Sequence, residues 1–124
     1  MKSCRKTAAK TEFGDGQTPG ELAALVCATV SRRIQPASVF EPNCGEGTFL
    51  QAAIHTFPTV QRILGLEVNR DYVLRSQSIS HASLNVIHGD FFDYQWTKDI
   101  EQLPDPLLVL GNPPWVTNSD LMRL

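Results

Sequence analysis

The sequence predicts an α/β fold, a doubly wound parallel sheet that is incomplete at its C-terminal end. Three observations lead there. Apolar runs of strand length alternate with segments of helical period, and that alternation implies crossovers and parallel pairing. The first three strands each end at an acid, Glu41, Glu67 or Asp90. Between the first strand and the next helix lies a glycine turn, "NCGEG", of the kind that lets backbone N–H groups approach a ligand.

The elements follow in order. Residues 1–16 lack apolar periodicity and read as a basic flexible arm. In "TPGELAALVCATVSRRI", Thr18 suits the N-cap, Pro19 the first helical position, and Glu21 the third. Leu22, Leu25, Val26, Val30 and Ile34 recur at helical spacing, and the helix should stop near Pro36. "SVFEP" (38–42) is the first strand. The glycine loop then runs into a helix that stops before Pro58. "RILGLEV" (62–68) is the second strand, and Asn69 caps the helix after it. "LNVIHGD" (84–90) is the third strand; 91–106 is irregular with room for one helical turn; "LLVLGN" (107–112) is the fourth strand. Such a sheet usually continues past four strands, so residues 17–124 are expected to be the N-terminal part of a larger domain.

Composition bounds the function. With 124 residues, 42% apolar and 19% charged, the chain can form one small domain with its own core. No apolar run approaches the roughly 18 residues of a membrane span, and no h-region follows the basic N-terminus; a cytoplasmic protein is expected. Cys4, Cys27 and Cys44 are odd in number and lack C-x-x-C spacing. They read as free thiols, and no metal site is expected. Lys2, Arg5, Lys6 and Lys10 against Glu12 give the first twelve residues a balance of +3; with a whole-chain charge of −2, the remainder carries −5. The arm could lie along nucleic acid phosphates or simply be a solubilising tail.

Ligands of doubly wound sheets lie outside the carboxyl ends of the strands, where all three acids would sit. Glu67 comes 20 residues after Gly47, the place for an acid that grips a ribose diol. "GDFF" can read an adenine, with Asp90 accepting from the exocyclic amine and Phe91 packing on the ring. The plain alternatives are a turn acid at Glu67, and a turn aspartate with a core phenylalanine at 90–91. A pyrophosphate would be repelled by Glu41, whereas the ammonium and sulfonium of S-adenosylmethionine would not.

The ordered motifs "QTPGEL" (17–22), "FEPNCGEG" (40–47), "LEV" (66–68), "GDFFDY" (89–94) and "NPPW" (112–115) resemble those of the class I S-adenosylmethionine-dependent methyltransferases, whose fold is Rossmann-like. Within them the resemblance is to the enzymes that methylate adenine N6 in DNA, a group common in restriction–modification systems. The resemblance implies that Thr18 and Pro19 lie against the methionine end of the cofactor. It implies that Glu41, Pro42, Asn43, Gly45 and Gly47 surround its amino-acid and ribose part. Glu67 would hold the ribose hydroxyls, and Asp90 and Phe91 the adenine. Asn112 and the Pro113 carbonyl would accept from the target amine, with Pro114 stiffening the segment and Trp115 stacking on a flipped base. Asn43 departs from the pattern by standing where an ideal G-x-G-x-G has its first glycine. The DNA, and a restriction endonuclease or fused domain, are the expected partners. Other acceptors remain open: a glutamine side chain in protein, or a base amine in RNA. So does a truncated, inactive remnant.

Overall fold

Four parallel strands form one sheet in the order β3-β2-β1-β4, in a computed structural model that describes residues 17–112. The basic arm expected over 1–16 lies outside the described residues, as do 113–124. The elements are α1 (Gly20–Ser31), β1 (Ser38–Glu41), α2 (Thr48–Thr56), β2 (Arg62–Glu67), α3 (Arg70–Gln77), β3 (Leu84–His88), α4 (Thr97–Glu101) and β4 (Leu107–Val109). β1 is central: Val39 stands opposite Ile63 of β2 on one side and Leu108 of β4 on the other.

Both faces of the central strands are covered, which is why β1 and β2 are buried at almost every position. Side chains alternate across the pleat. Val39, Ile63 and Val86 join Ala23, Cys27, Leu50, Ala53 and Val73 in the core beneath α1, α2 and α3. Phe40, Leu64 and Leu66 point the other way and pack with Leu103, Ile100 and Tyr94 from the α4 region. Leu50 and Phe57 are fully buried, each contributing roughly 1.5–3 kcal/mol by leaving water.

α1 differs from its expectation. Pro19, not Thr18, occupies the N-cap, with φ −59° and ψ 140° and no side-chain capping bond; its carbonyl accepts the first helical bond from Ala23 N at 3.1 Å. The helix ends at Ser31, short of Pro36. Its buried face is Ala23 and Cys27, while Leu22 and Leu25 are 49% and 64% exposed. Small residues let α1 lie close against α2, so contact is made by the alanine and cysteine and the leucines turn outward. Asn69 caps α3 as expected, its Oδ1 accepting from Asp71 N at 3.0 Å and Tyr72 N at 3.3 Å. The helical turn expected within 91–106 is α4, in the connection from β3 to β4.

Candidate functional site

The carboxyl ends of the strands converge on the loop after β1. Gly45 (φ 54°) and Gly47 (φ 91°) both take left-handed backbone, open to glycine at little cost. The loop is anchored from below: Cys44 N donates to Leu66 O at 2.9 Å, and the buried Ser76 of α3 donates to Gly45 O at 2.7 Å. Gly47 also serves packing, since a Cβ there would meet Ile79 Cδ1 at 2.5 Å. Gln17 lies over the loop, its Oε1 accepting from Glu46 N at 3.3 Å. An ion pair between Arg75 and Glu46 joins loop to α3 at the surface.

Glu41 ends β1 and is only 2% exposed. Its Oε2 has no hydrogen-bond partner among the described residues. Burial, and then the nearby Glu67 charge, raise its pKa well above the ordinary carboxylate value. Burial first, with the Glu41 charge second, pushes the Cys27 thiol up to about 11 and raises Cys44 further still. Neither thiol is a nucleophile in this setting. Cys44 is a small buried residue in the turn.

A small polar cleft gathers Thr18, Glu41, Asn43, Cys44, Gly45 and Asn112. Beside it a cavity of about 410 Å³ is lined by Pro42, Asn43, Phe91, Trp96, Leu110 and Asn112, among others. Asn43 and Asn112 border both. The expected donor-half residues Thr18, Glu41, Pro42, Asn43, Gly45 and Phe91 are thus brought together with Asn112. Pro19 and Gly47 line neither space, nor do Glu67 and Asp90. Glu67 is buried at the end of β2, and its Oε2 accepts from Val68 N at 3.2 Å. Asp90 closes a turn, its Oδ1 accepting from Phe92 N at 2.9 Å. Pro113, Pro114 and Trp115 lie outside the described residues.

Three contributors were missed at the sequence level. Gly111 carries φ 150°, and a Cβ there would come within 2.8 Å of Glu41 Cγ; its position directly before Asn112 was the available signal. Ser76 supports the glycine loop from the last turn of α3, with no signal in sequence. Trp96 walls the cavity and packs on Phe40 at 6.2 Å between ring centroids.

No family model matches the chain. A Type II methyltransferase from Nostoc sp., M.NspV, is 39% identical over 115 residues, which is 89% of this chain. The chain is a homologue of this methyltransferase. It spans about a quarter of that relative's length, 24%. Among solved structures, a type I restriction-modification system methyltransferase subunit from Streptococcus thermophilus matches over 90% of this chain and 27% of its own, with TM-score 0.57 and 19% identity. The plantazolicin methyltransferase BpumL, in complex with a pentazolic desmethylPZN analog and SAH, matches over 63% of this chain and 32% of its own, with TM-score 0.52 and 17% identity. These likenesses establish the Rossmann-like methyltransferase fold.

Proposed function

We propose that this chain is the donor-binding part of a DNA methyltransferase that moves a methyl group from S-adenosylmethionine to the N6 amine of a flipped adenine, as one half of a restriction–modification pair in the cytoplasm. The observation that carries the reading is the meeting of Asn112 with the glycine loop: Asn43 Nδ2 lies 3.2 Å from Asn112 O. The similarity to a Type II methyltransferase supports methyl transfer in a restriction–modification setting, and the N-P-P-W motif is the ground for choosing adenine N6.

The residues present fit the cofactor. A buried carboxyl group with an oxygen that no described residue satisfies needs a partner, and a cation is the partner that keeps it ionised. When bound, S-adenosylmethionine supplies an electrophilic sulfonium methyl. Glu41 would face its cationic end from the cleft. Glu67 would accept from ribose hydroxyls, and Phe91 would offer a flat apolar wall to the adenine. Asn112 Oδ1 would accept from the target amine, with the Pro113 carbonyl as second acceptor. Two acceptors on the two amine hydrogens favour a pyramidal nitrogen and aim its lone pair at the methyl. Pro113 and Pro114 restrict the backbone that carries them, so less entropy is lost on alignment. In a duplex the amine is out of reach until the base is flipped, and Trp115 would receive it by stacking.

The test is to express the full gene product in a host lacking adenine methylation and assay its DNA for N6-methyladenine by nucleoside mass spectrometry. Its appearance is expected. A soluble, cofactor-binding product that leaves host DNA unmodified would overturn the DNA reading and direct the search to protein glutamine or RNA.

A further inference from the structure

Asn43 occupies the place where a regular glycine loop has a glycine, yet its side chain is spent neither on the loop nor on the donor cleft alone. Its Nδ2 crosses to Asn112 O at 3.2 Å, spanning 69 positions of sequence. The neighbouring residue makes a second fit: Gly111 presents a bare Cα to Glu41, whose Oε1 would lie 3.0 Å from any Cβ there. Two successive residues just beyond β4 therefore seat on the last residue of β1, Glu41, and on Asn43 of the loop that follows it. The seat is past the end of the ladder, whose last β1–β4 bond is Leu110 N to Phe40 O at 3.1 Å. Beyond that bond the sheet no longer dictates where the chain goes.

We propose that Asn43 is a positioning residue for methyl transfer: by fastening the Asn112 carbonyl to the glycine loop, it sets where the Asn112 side chain meets the acceptor amine. The inference rests on the methyl-transfer reading above. A held carbonyl fixes the peptide plane of its residue, and with it the direction of the Cα–Cβ bond. Transfer to a weakly nucleophilic amine depends on alignment, and a displacement of about 1 Å can cost about a hundredfold in rate. The tie also joins the two halves of the site, so a loop ordered around the donor holds the acceptor tip in register. Glycine at 43 would leave the loop able to turn but would remove the tie. Aspartate would be nearly isosteric but would set an acceptor against an acceptor.

The test uses the full gene product and Asn43→Gly, Asn43→Asp and Asn43→Ala. Three quantities are measured: the methyl-transfer rate at saturating S-adenosylmethionine, the Kd for that cofactor, and backbone hydrogen exchange across 110–112 without ligand. All three variants should lose about ten- to a hundredfold in rate at saturating cofactor, lose less in Kd than in that rate, and exchange faster at 110–112. Asn43→Gly with wild-type rate would overturn the inference, because a loop residue alone would be satisfied by glycine. So would a tenfold weaker Kd with unchanged saturated rate, or exchange at 110–112 equal to wild type. In each case an active wild type leaves the methyl-transfer reading standing. A wild type that binds cofactor and methylates no adenine overturns that reading, and the inference with it.

Discussion

At the residue scale, Glu41 sets the chemistry at the end of β1. Its carboxyl is buried and its Oε2 has no hydrogen-bond partner among the described residues; burial and the Glu67 charge favour the protonated form. A raised folded pKa means that between the ordinary glutamate value and the raised one the folded state holds a proton the unfolded state has lost. The stabilisation is therefore complete below the ordinary value and is lost as pH rises through the folded pKa. Ligand-free protein should lose stability from mildly acidic towards neutral pH, while Glu41→Gln should be flatter over the same window. Urea unfolding of both across that range checks this; parallel profiles would mean that Glu41 finds a partner in solution. Two further residues divide the proposed site. Asn112→Ala should cut turnover sharply while cofactor affinity stays nearly unchanged, and Asp90→Ala should mainly weaken cofactor binding. Parallel turnover and calorimetric titrations separate the two, and equal loss of affinity would undo the division.

At the element scale, the glycine loop works because α3 lies beneath it. Gly47 combines left-handed backbone with a contact that leaves no room for a methyl group. Gly47→Ala should cost roughly 1–2 kcal/mol for the backbone and about 1–3 more for crowding Ile79. Denaturant midpoints at constant m-value measure it; a cost under 1 kcal/mol would show that α3 shifts freely. Much of this layer was legible in sequence. Asn69 announced its helix through cap chemistry, which acts within three residues. The central strands announced themselves because burial on both faces makes their middle positions, such as Val39, Phe40, Ile63 and Leu64, apolar. What was not legible depended on partners far along the chain. The inward face of α1 is chosen by how closely α2 approaches, so Leu22 and Leu25 misled while Ala23 and Cys27 made the contact. The bond from Ser76 to Gly45 spans 31 positions, and Asp90 shows its turn contact alone. Gly111 was visible but unassigned, because its role depends on Glu41 lying beside it.

At the scale of the whole molecule, the two sheet faces are covered unequally among the described residues. Three helices pack on one face, whereas the other is met by α4 and its flanking loops. On that second side Trp96 and Phe92 are 39% and 52% exposed, and Val109 of β4 is 55% exposed. β4 pairs with β1 alone among the described strands, and one wall of the 410 Å³ cavity is this same strand. Exposed apolar surface beside an unpaired strand edge favours association with other chains. It also costs affinity, because a cavity with a loosely held wall must be ordered when ligand binds. The 124-residue chain by itself should therefore bind S-adenosylmethionine weakly, and should sediment as a concentration-dependent mixture. Replacing Val109 with Lys should shift that mixture towards monomer by charging the edge. Calorimetric titration and sedimentation velocity at several concentrations make the test. Tight binding by a stable monomer would show that these strands and the loop after β1 make a sufficient donor site. Weak binding that strengthens in the full gene product would place the rest of the donor site outside residues 17–112.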